Sequence, residues 1–428
     1  MNERKLHPGE VADASAALGA VNPQLSAAEK PGTRLPGALI IGGAHGSLAI
    51  ARSLGERGIP VWVATGGHPV VRFSRFRAKT VAWSSDEPDA VAKLIAIART
   101  NKLENWVLFA GGDAEVKLVA EHHDELAAVF RLTTPPWETT RWAHDKRLTY
   151  ERAATVGVDA PRSFYPKDRD DVAAQDFAYP VILKPTSRDT TNAFTLAKVW
   201  RAGDRAALLA LYDRAVAMVG APAVVLQELI PGDGMHQFSY AALWDRGAPV
   251  ASLVARRTRQ YPVDFGYTST CVETVDRPEV EAAAVKFLKS LDYSGLVEVE
   301  FKYDDRDRRY KILDVNPRAW SWTALGAAAG VDFPYLAWRL AVGEPLLPLV
   351  RARPGVVWMH LSRDIVAAAQ EWARGNLSIR DYLSVFRKPI VFAAFSGNDP
   401  LPAIADLPLV LWRYLSRRLP ARLRSLKH

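Results

Sequence analysis

Cysteine is almost missing from this 428-residue chain, with Cys271 the single thiol. One thiol excludes an internal disulfide and any cysteine-based metal cluster. It suits a reducing compartment, and the expected location is cytoplasmic. Long apolar runs are also missing. The longest candidate, PIVFAAF at 389–395, falls far short of the roughly 20 apolar residues that span a bilayer. The N-terminus has no apolar signal core. No Ser/His/Asp or Cys/His arrangement is evident and no internal repeat is found.

What is present is an ordinary globular balance, 49% hydrophobic and 24% charged. The length allows two or three domains with sizeable cores. The net charge is +8, but six Arg/Lys and no acid fall in RYLSRRLPARLRSLKH at 413–428. The rest of the chain is therefore close to neutral. A nucleic-acid partner is not expected, and the basic tail allows at most a weak contact with an anionic membrane surface. Residues 1–34, rich in Ala, Glu, Pro and Gly, read as a disordered leader.

Ordered structure is expected from ALIIGGAHGSLAIARSLGERGIPVWVATG, which reads strand, glycine turn, helix, strand. A further helix over 90–103, a buried strand in WVLFAGG (106–112) and a helix from Asp113 to about Ala128 follow. Alternating strands and helices predict a parallel sheet. The Gly42–Gly46 turn lacks the full dinucleotide fingerprint, and no acid closes the second strand to hold a ribose. Asp145-Lys146 is placed on a helix running to about Val156. YPVILKPTSRDTTNAFTLAKV (179–199) reads strand, polar loop, strand. A helix at 203–219, a strand entering a loop over 223–232, an antiparallel pair at 238–243 and 249–256, and a helix at 277–291 come next. Residues 323–330 and 334–342 are expected to be helical, and 356–361 to form a strand.

The most informative segment is GLVEVEFKYDDRDRRYKILDVNPRAWSW at 295–322. It reads as a hairpin with Glu298, Glu300, Asp314 and Asn316 on one face. Val297, Val299, Phe301, Leu313 and Val315 are expected on the core face. A turn near Asp307 sets Glu300 opposite Asp314 and Glu298 opposite Asn316. Like charges directly opposed across strands are destabilising, so a cation is expected, and hard oxygen donors of this kind suit magnesium with phosphate. Lys184, at the end of the apolar run 180–183, needs an anionic partner. Gln227 to Gly232 forms a linker whose backbone and apolar Leu229 and Ile230 suit an adenine.

Taken in order, Asp145-Lys146, VILKP at 181–185, QELIPG at 227–232, VEF at 299–301 and DVNPR at 314–318 resemble the ATP-grasp superfamily of carboxylate–amine and related ligases. The resemblance spans about 36–345 and implies an α/β N-terminal domain plus an α+β ATP-grasp module, with two antiparallel sheets sandwiching ATP. The implied division is a leader at 1–34, an N-terminal α/β domain at 35–134, an ATP-grasp domain at 135–345 with a small lid at about 160–230, and a C-terminal helical extension at 346–428. It implies ATP with Mg2+, or Mn2+ in its place. Lys146, Lys184 and Ser187 would contact phosphates, and Gln227, Glu228, Leu229 and Ile230 would hold the base. Glu300, Asp314 and Asn316 would hold metal, and Arg318, with Arg256 or Arg259, would steady the transferred phosphate. The implied activity is an ATP-dependent C–N ligase that activates a small carboxylate as acyl-phosphate and joins it to an amine or other nucleophile, as a monomer or homo-oligomer. The alternative is a catalytically weak nucleotide-binding regulatory or scaffold protein. One departure favours the alternative: the loop 186–192 after Lys184 contains no glycine. Asp113, at the end of a parallel strand, and Trp320 and Trp322 are further candidates for the acceptor pocket, with a helix cap and core packing as their other readings.

Overall fold

The computed structural model describes residues 35–418 apart from 43–44, 67–68, 187–191, 198, 264–265, 267 and 347–348, and describes side chains only up to 410. The expected leader at 1–34, Ser187 and most of the basic tail lie outside the described residues.

The N-terminal part is a five-stranded parallel sheet. It comprises β1 (Ala38–Ile41), α1 (His45–Gly55), β2 (Val61–Ala64), β3 (Lys79–Val81), α2 (Ala90–Asn101), β4 (Val107–Ala110), α3 (Asp113–Glu121), α4 (His123–Ala127) and β5 (Arg131–Leu132), in strand order β3-β2-β1-β4-β5. β1 is an unbroken buried run, as a central parallel strand covered on both faces requires. The helix expected from Asp113 to Ala128 is two helices, broken at His122.

Two helices, α5 (Trp137–His144) and α6 (Lys146–Thr155), lead to a four-stranded antiparallel sheet. Its elements are β6 (Ser163–Phe164), α7 (Arg169–Ala174), β7 (Val181–Pro185), α8 (Ala193–Ala197), β8 (Trp200–Ala202), α9 (Arg205–Val219) and β9 (Val224–Glu228), in order β6-β9-β7-β8. One face of this sheet packs Val181, Leu183 and Leu226 on Leu208, Tyr212 and Ala215 of α9. The other face therefore carries Ile182, Lys184 and Gln227. The strand expected near 193–199 is instead the short helix α8, and β8 begins at Trp200.

The remaining chain builds an eight-stranded sheet, in order β14-β13-β10-β11-β12-β16-β17, with β15 beside β11. Its elements are β10 (Gln237–Asp245), β11 (Ala248–Tyr261), β12 (Thr268–Thr274), α10 (Pro278–Lys289), β13 (Gly295–Asp304), β14 (Arg309–Asn316), α11 (Ala324–Ala328), α12 (Phe333–Ala341), β15 (Val350–Arg351), β16 (Val357–Met359), α13 (Leu361–Ala373), α14 (Ile379–Ser384), β17 (Ile390–Phe392) and α15 (Leu401–Arg418). All pairs are antiparallel except β11–β15 and β16–β17. Gly295 opens β13 at φ +105°, and a Cβ there would lie 2.6 Å from the Thr133 carbonyl oxygen. Only glycine allows both that backbone angle and that approach.

Under the hairpin β13–β14, Val297, Val299, Phe301, Ile312 and Val315 pack on Phe287 and Leu288 of α10 and Tyr150 of α6. Each large apolar side chain buried here contributes about 1.5–3 kcal/mol. Leu313 was expected in this core. A β-bulge after Glu300 pairs Glu300 with Asp314 but Phe301 with Ile312. The extra residue on β14 shifts the alternation, so Ile312 takes the core position and Leu313 lines the open cleft. Among the described residues, no helix is long and apolar enough to cross a membrane.

Candidate active site

A cavity of about 1620 Å³ is lined from one side by β7, β9 and the linker after β9, and from the other by β13 and β14. Each sheet turns polar side chains toward the cavity, Lys184 and Gln227 from β7 and β9 and Glu298, Glu300, Asp314 and Asn316 from β13 and β14. On the eight-stranded side the register is as the alternation predicts: Glu298 faces Asn316, and Glu300 faces Asp314.

Each carboxylate in this row has found a cationic or amide partner. Lys146 Nζ lies 2.5 Å from Asp314 Oδ1. Its position is set locally: Asp145 caps α6 by accepting from the Arg147 and Leu148 amides, making Lys146 the first helical residue. Tyr150, one turn on, donates to the Leu313 carbonyl at 2.9 Å and ties α6 to the bulge. Arg257 lies 3.2 Å from Glu300 Oε2. The Asn316 amide donates to Glu298 Oε2 at 3.2 Å and approaches Glu300 Oε1 at 3.5 Å. Glu298 is almost fully buried and accepts from Ser239 at 3.0 Å. Burial, and then the neighbouring Glu300, push its pKa up to about 7.

Arg318 stands at the end of the row. Its Nε donates to Asp113 Oδ1 at 2.5 Å, its Nη2 reaches Asn316 Oδ1 at 3.3 Å, and its Nη1 donates to the Ala319 carbonyl. The recess around Asp113 would raise its pKa, but the Arg318 guanidinium, with His144 and Lys146 behind it, holds it at about 2. The N-cap of α3 is Gly112, and Asp113, the first helical residue, borders the cavity.

Across the cavity, Lys184 Nζ donates to Gln227 Oε1 at 2.7 Å, and Gln227 Nε2 donates to Ser163. Leu229 and Ile230 line the cavity, with Ile230 buried. Glu228 also borders it, but its carboxylate is held by Lys311 at 3.2 Å and Arg306 at 3.0 Å. Burial opposes ionisation of Glu228, yet the Arg162 amide and the Lys311 ammonium prevail and keep its pKa below the usual range.

Two expectations need correction. Arg256 and Arg259 do not line the cavity, and Arg257 does. Arg256 faces Glu273, 3.7 Å away on the opposite side of the sheet. Arg259 should share a face with Arg257, two residues before it, but the β11–β12 register shifts at Thr258: Arg257 pairs with Val272 and Arg259 with Cys271. Adjacent partners point to opposite faces, so Arg259 turns away to a buried bidentate pair with Asp364, at 2.8–3.2 Å. Trp322 borders the cavity, whereas Trp320 packs on Trp322 and Phe333 in the core. Replacing either Arg257 or Arg259 with Met removes a buried cation from its carboxylate and is expected to lower the thermal midpoint, which calorimetry checks.

The donors Glu300, Asp314 and Asn316 are all oxygen donors, two of them carboxylates set face to face across the strands, and this fits a hard divalent cation that shares its shell with phosphate and water. Lys146 and Lys184 border the same cavity.

The family described as "Carbamoyl-phosphate synthase L chain, ATP binding domain" matches residues 263–349. The chain is 24% identical over 309 residues to the carbamoyl phosphate synthase large chain of Methanothermobacter thermautotrophicus, covering 69% of this chain and 28% of that protein. It is 21% identical over 249 residues to the D-aspartate ligase of Enterococcus faecium, covering 54% and 58%. The chain therefore spans little more than a quarter of the first relative and less than two thirds of the second. Among solved structures, it is similar to the biotin carboxylase domain of the Hydrogenobacter thermophilus 2-oxoglutarate carboxylase, determined with MgADP, ADP and bicarbonate. That likeness has a TM-score of 0.59 at 16% identity, covers 76% of this chain and 74% of the other, and concerns the fold alone.

Proposed function

We propose that this chain, which belongs to the ATP-grasp superfamily, is an ATP-dependent ligase that activates a small-molecule carboxylate and joins it to an amine or another nucleophile. The observation that carries the reading is one cavity bordered by two lysines, an apolar linker and a row of carboxylates ending in an arginine. The D-aspartate ligase likeness supports ligation as the outcome.

In this reading ATP lies in the cleft with its base against Leu229 and Ile230. Lys146 and Lys184 exchange their present partners for phosphate oxygens. Glu300, Asp314 and Asn316 would hold Mg2+, which when bound neutralises charge on the phosphates. A carboxylate oxygen of the acceptor attacks the γ-phosphorus, the bond to the β-phosphate oxygen breaks, and ADP leaves with that electron pair. Arg318 faces the transferred group from the end of the row. The amine then attacks the acyl carbon, loses a proton, and expels phosphate carrying the oxygen that came from the carboxylate. The chain's contribution is placement and charge balance rather than covalent catalysis.

The test is an ADP-release screen of the full chain against pooled carboxylates and amines, with mass spectrometry of the product. A carboxylate-dependent burst of ADP with a condensed product is expected. ATP binding without release under any pool would instead support a regulatory or scaffold role.

A further inference from the structure

Two imidazoles and a carboxylate meet in a buried cluster that is not part of the cavity lining. His45 opens α1, His360 follows β16, and Asp406 lies on α15. Their exposures are 7%, 1% and 4%. His45 Nε2 lies 3.1 Å from His360 Nε2 and 3.0 Å from Asp406 Oδ1, and His360 Nε2 lies 3.5 Å from Asp406 Oδ2.

A ring nitrogen has one in-plane direction in which to donate or accept a hydrogen bond. Here each Nε2 is shared between two partners, so the three groups converge on a common point instead of pairing off. A tetrahedral ion bonded at about 2.0–2.1 Å sets its ligand atoms about 3.3–3.4 Å apart. Contacts of 3.0, 3.1 and 3.5 Å bracket that spacing. Ser362 completes the arrangement from outside. Its Oγ donates to Asp406 Oδ2 at 2.9 Å and lies 3.2 Å from His360 Nδ1. A hydroxyl that donates to the carboxylate accepts from Nδ1–H, which leaves the His360 Nε2 lone pair facing the shared point. Outer partners of this kind fix the tautomer of metal-ligating histidines.

We propose that His45, His360 and Asp406 bind a divalent transition-metal ion, with zinc the metal that suits two imidazoles and one carboxylate. Its role is structural. The segment carrying Asp406 is already fastened to the N-terminal part through Asp399, which accepts from Arg52 Nε at 2.9 Å, Ser74 Oγ at 2.8 Å and the Arg75 amide at 2.9 Å. The ion adds a second tie between α15 and α1. It also fixes the start of α1, where a Cβ on Gly46 would lie 2.9 Å from the Trp320 carbonyl oxygen. That carbonyl is two residues beyond Arg318, so the tie reaches the backbone that presents Arg318 to the cleft.

The test uses the full chain, stripped with a chelator and titrated with zinc chloride without nucleotide, with folding monitored by circular dichroism. One zinc per chain is expected, together with a rise in thermal midpoint and, on cobalt substitution, the visible absorption of a four-coordinate site. Asp406→Asn, nearly isosteric, is expected to weaken zinc at least tenfold. Asp314→Asn, in the cleft, is expected to bind zinc as the wild type does. Folded, stripped wild type that takes up no more zinc than a His45→Gln, His360→Gln double variant would overturn the proposal. So would loss of zinc in Asp314→Asn, which would put the ion in the cleft.

Discussion

Asp314→Ala is expected to lower magnesium-dependent ADP formation by on the order of a hundredfold or more, the scale seen when a transition state loses a charge partner. Asp314 faces Glu300 across the hairpin and is the partner of Lys146. Removing it takes one carboxylate from the proposed cation site and frees Lys146 at once. Freed Lys146 should hold nucleotide at least as well, so the loss should fall on turnover and not on ATP affinity. Turnover measured across a magnesium series, alongside nucleotide titration, separates the two. Wild-type turnover in the variant would remove Asp314 from the chemistry.

Asp304→Ala is expected to cost about 1.5–3 kcal/mol of stability, the scale for losing hydrogen bonds to a charged group whose partners keep other carboxylates. Asp304 has no exposed surface and accepts from Arg306 Nε at 2.8 Å, Arg306 Nη2 at 2.6 Å and Lys311 Nζ at 2.8 Å. Lys311 is itself buried and shares its ammonium with Glu228, so the damage should reach the linker beside the cavity. The hydrogen bonds from Arg306, against the opposing effect of burial, and then those from Lys311, hold the Asp304 pKa below the ordinary carboxylate range. A depressed folded-state value means that the stabilisation is fully present above the unfolded pKa of about 3.9 and fades as pH falls through the folded value. Denaturant melts of the wild type should therefore lose stability below about pH 4, and Asp304→Asn should flatten that dependence. An Asp304→Ala protein as stable as the wild type would show that the ionic cluster is not needed to hold the hairpin.

The hairpin was the most legible part of the site. A period of two places Glu298, Glu300, Asp314 and Asn316 on one face, and the polar turn near Asp307 sets their opposition, which is the observed register. Asp145-Lys146 was placed on a helix, and in the structure Asp145 caps that helix while Lys146 is its first residue. Leu313 was misplaced by counting alternation through a point where β14 carries an extra residue, whereas Arg256 and Arg259 were taken together from one basic run that β11 turns away from the cavity at both positions. A bulge is a backbone event, and neither KILDV nor RRTRQ carries a glycine or proline to mark it. Contacts between distant segments were beyond reach for a different reason. Arg318 meets Asp113 across 205 residues, and His45 meets His360 across 315. Such pairings depend on how separate sheets and helices pack, and no local spacing encodes them. The glycine-free loop was read as a departure, and its central residues, Ser187 among them, lie outside the described part.

The measurement that tests the central claim most directly follows an oxygen atom. A carboxylate found in the ADP screen, labelled with heavy oxygen in both carboxylate positions, is turned over with ATP and an amine, and the released phosphate is weighed by mass spectrometry. Attack of the carboxylate on the γ-phosphorus predicts one heavy oxygen in each phosphate released with product. Phosphate of natural isotopic mass, formed at the same rate as product, would contradict an acyl-phosphate and with it the assignment of this cleft.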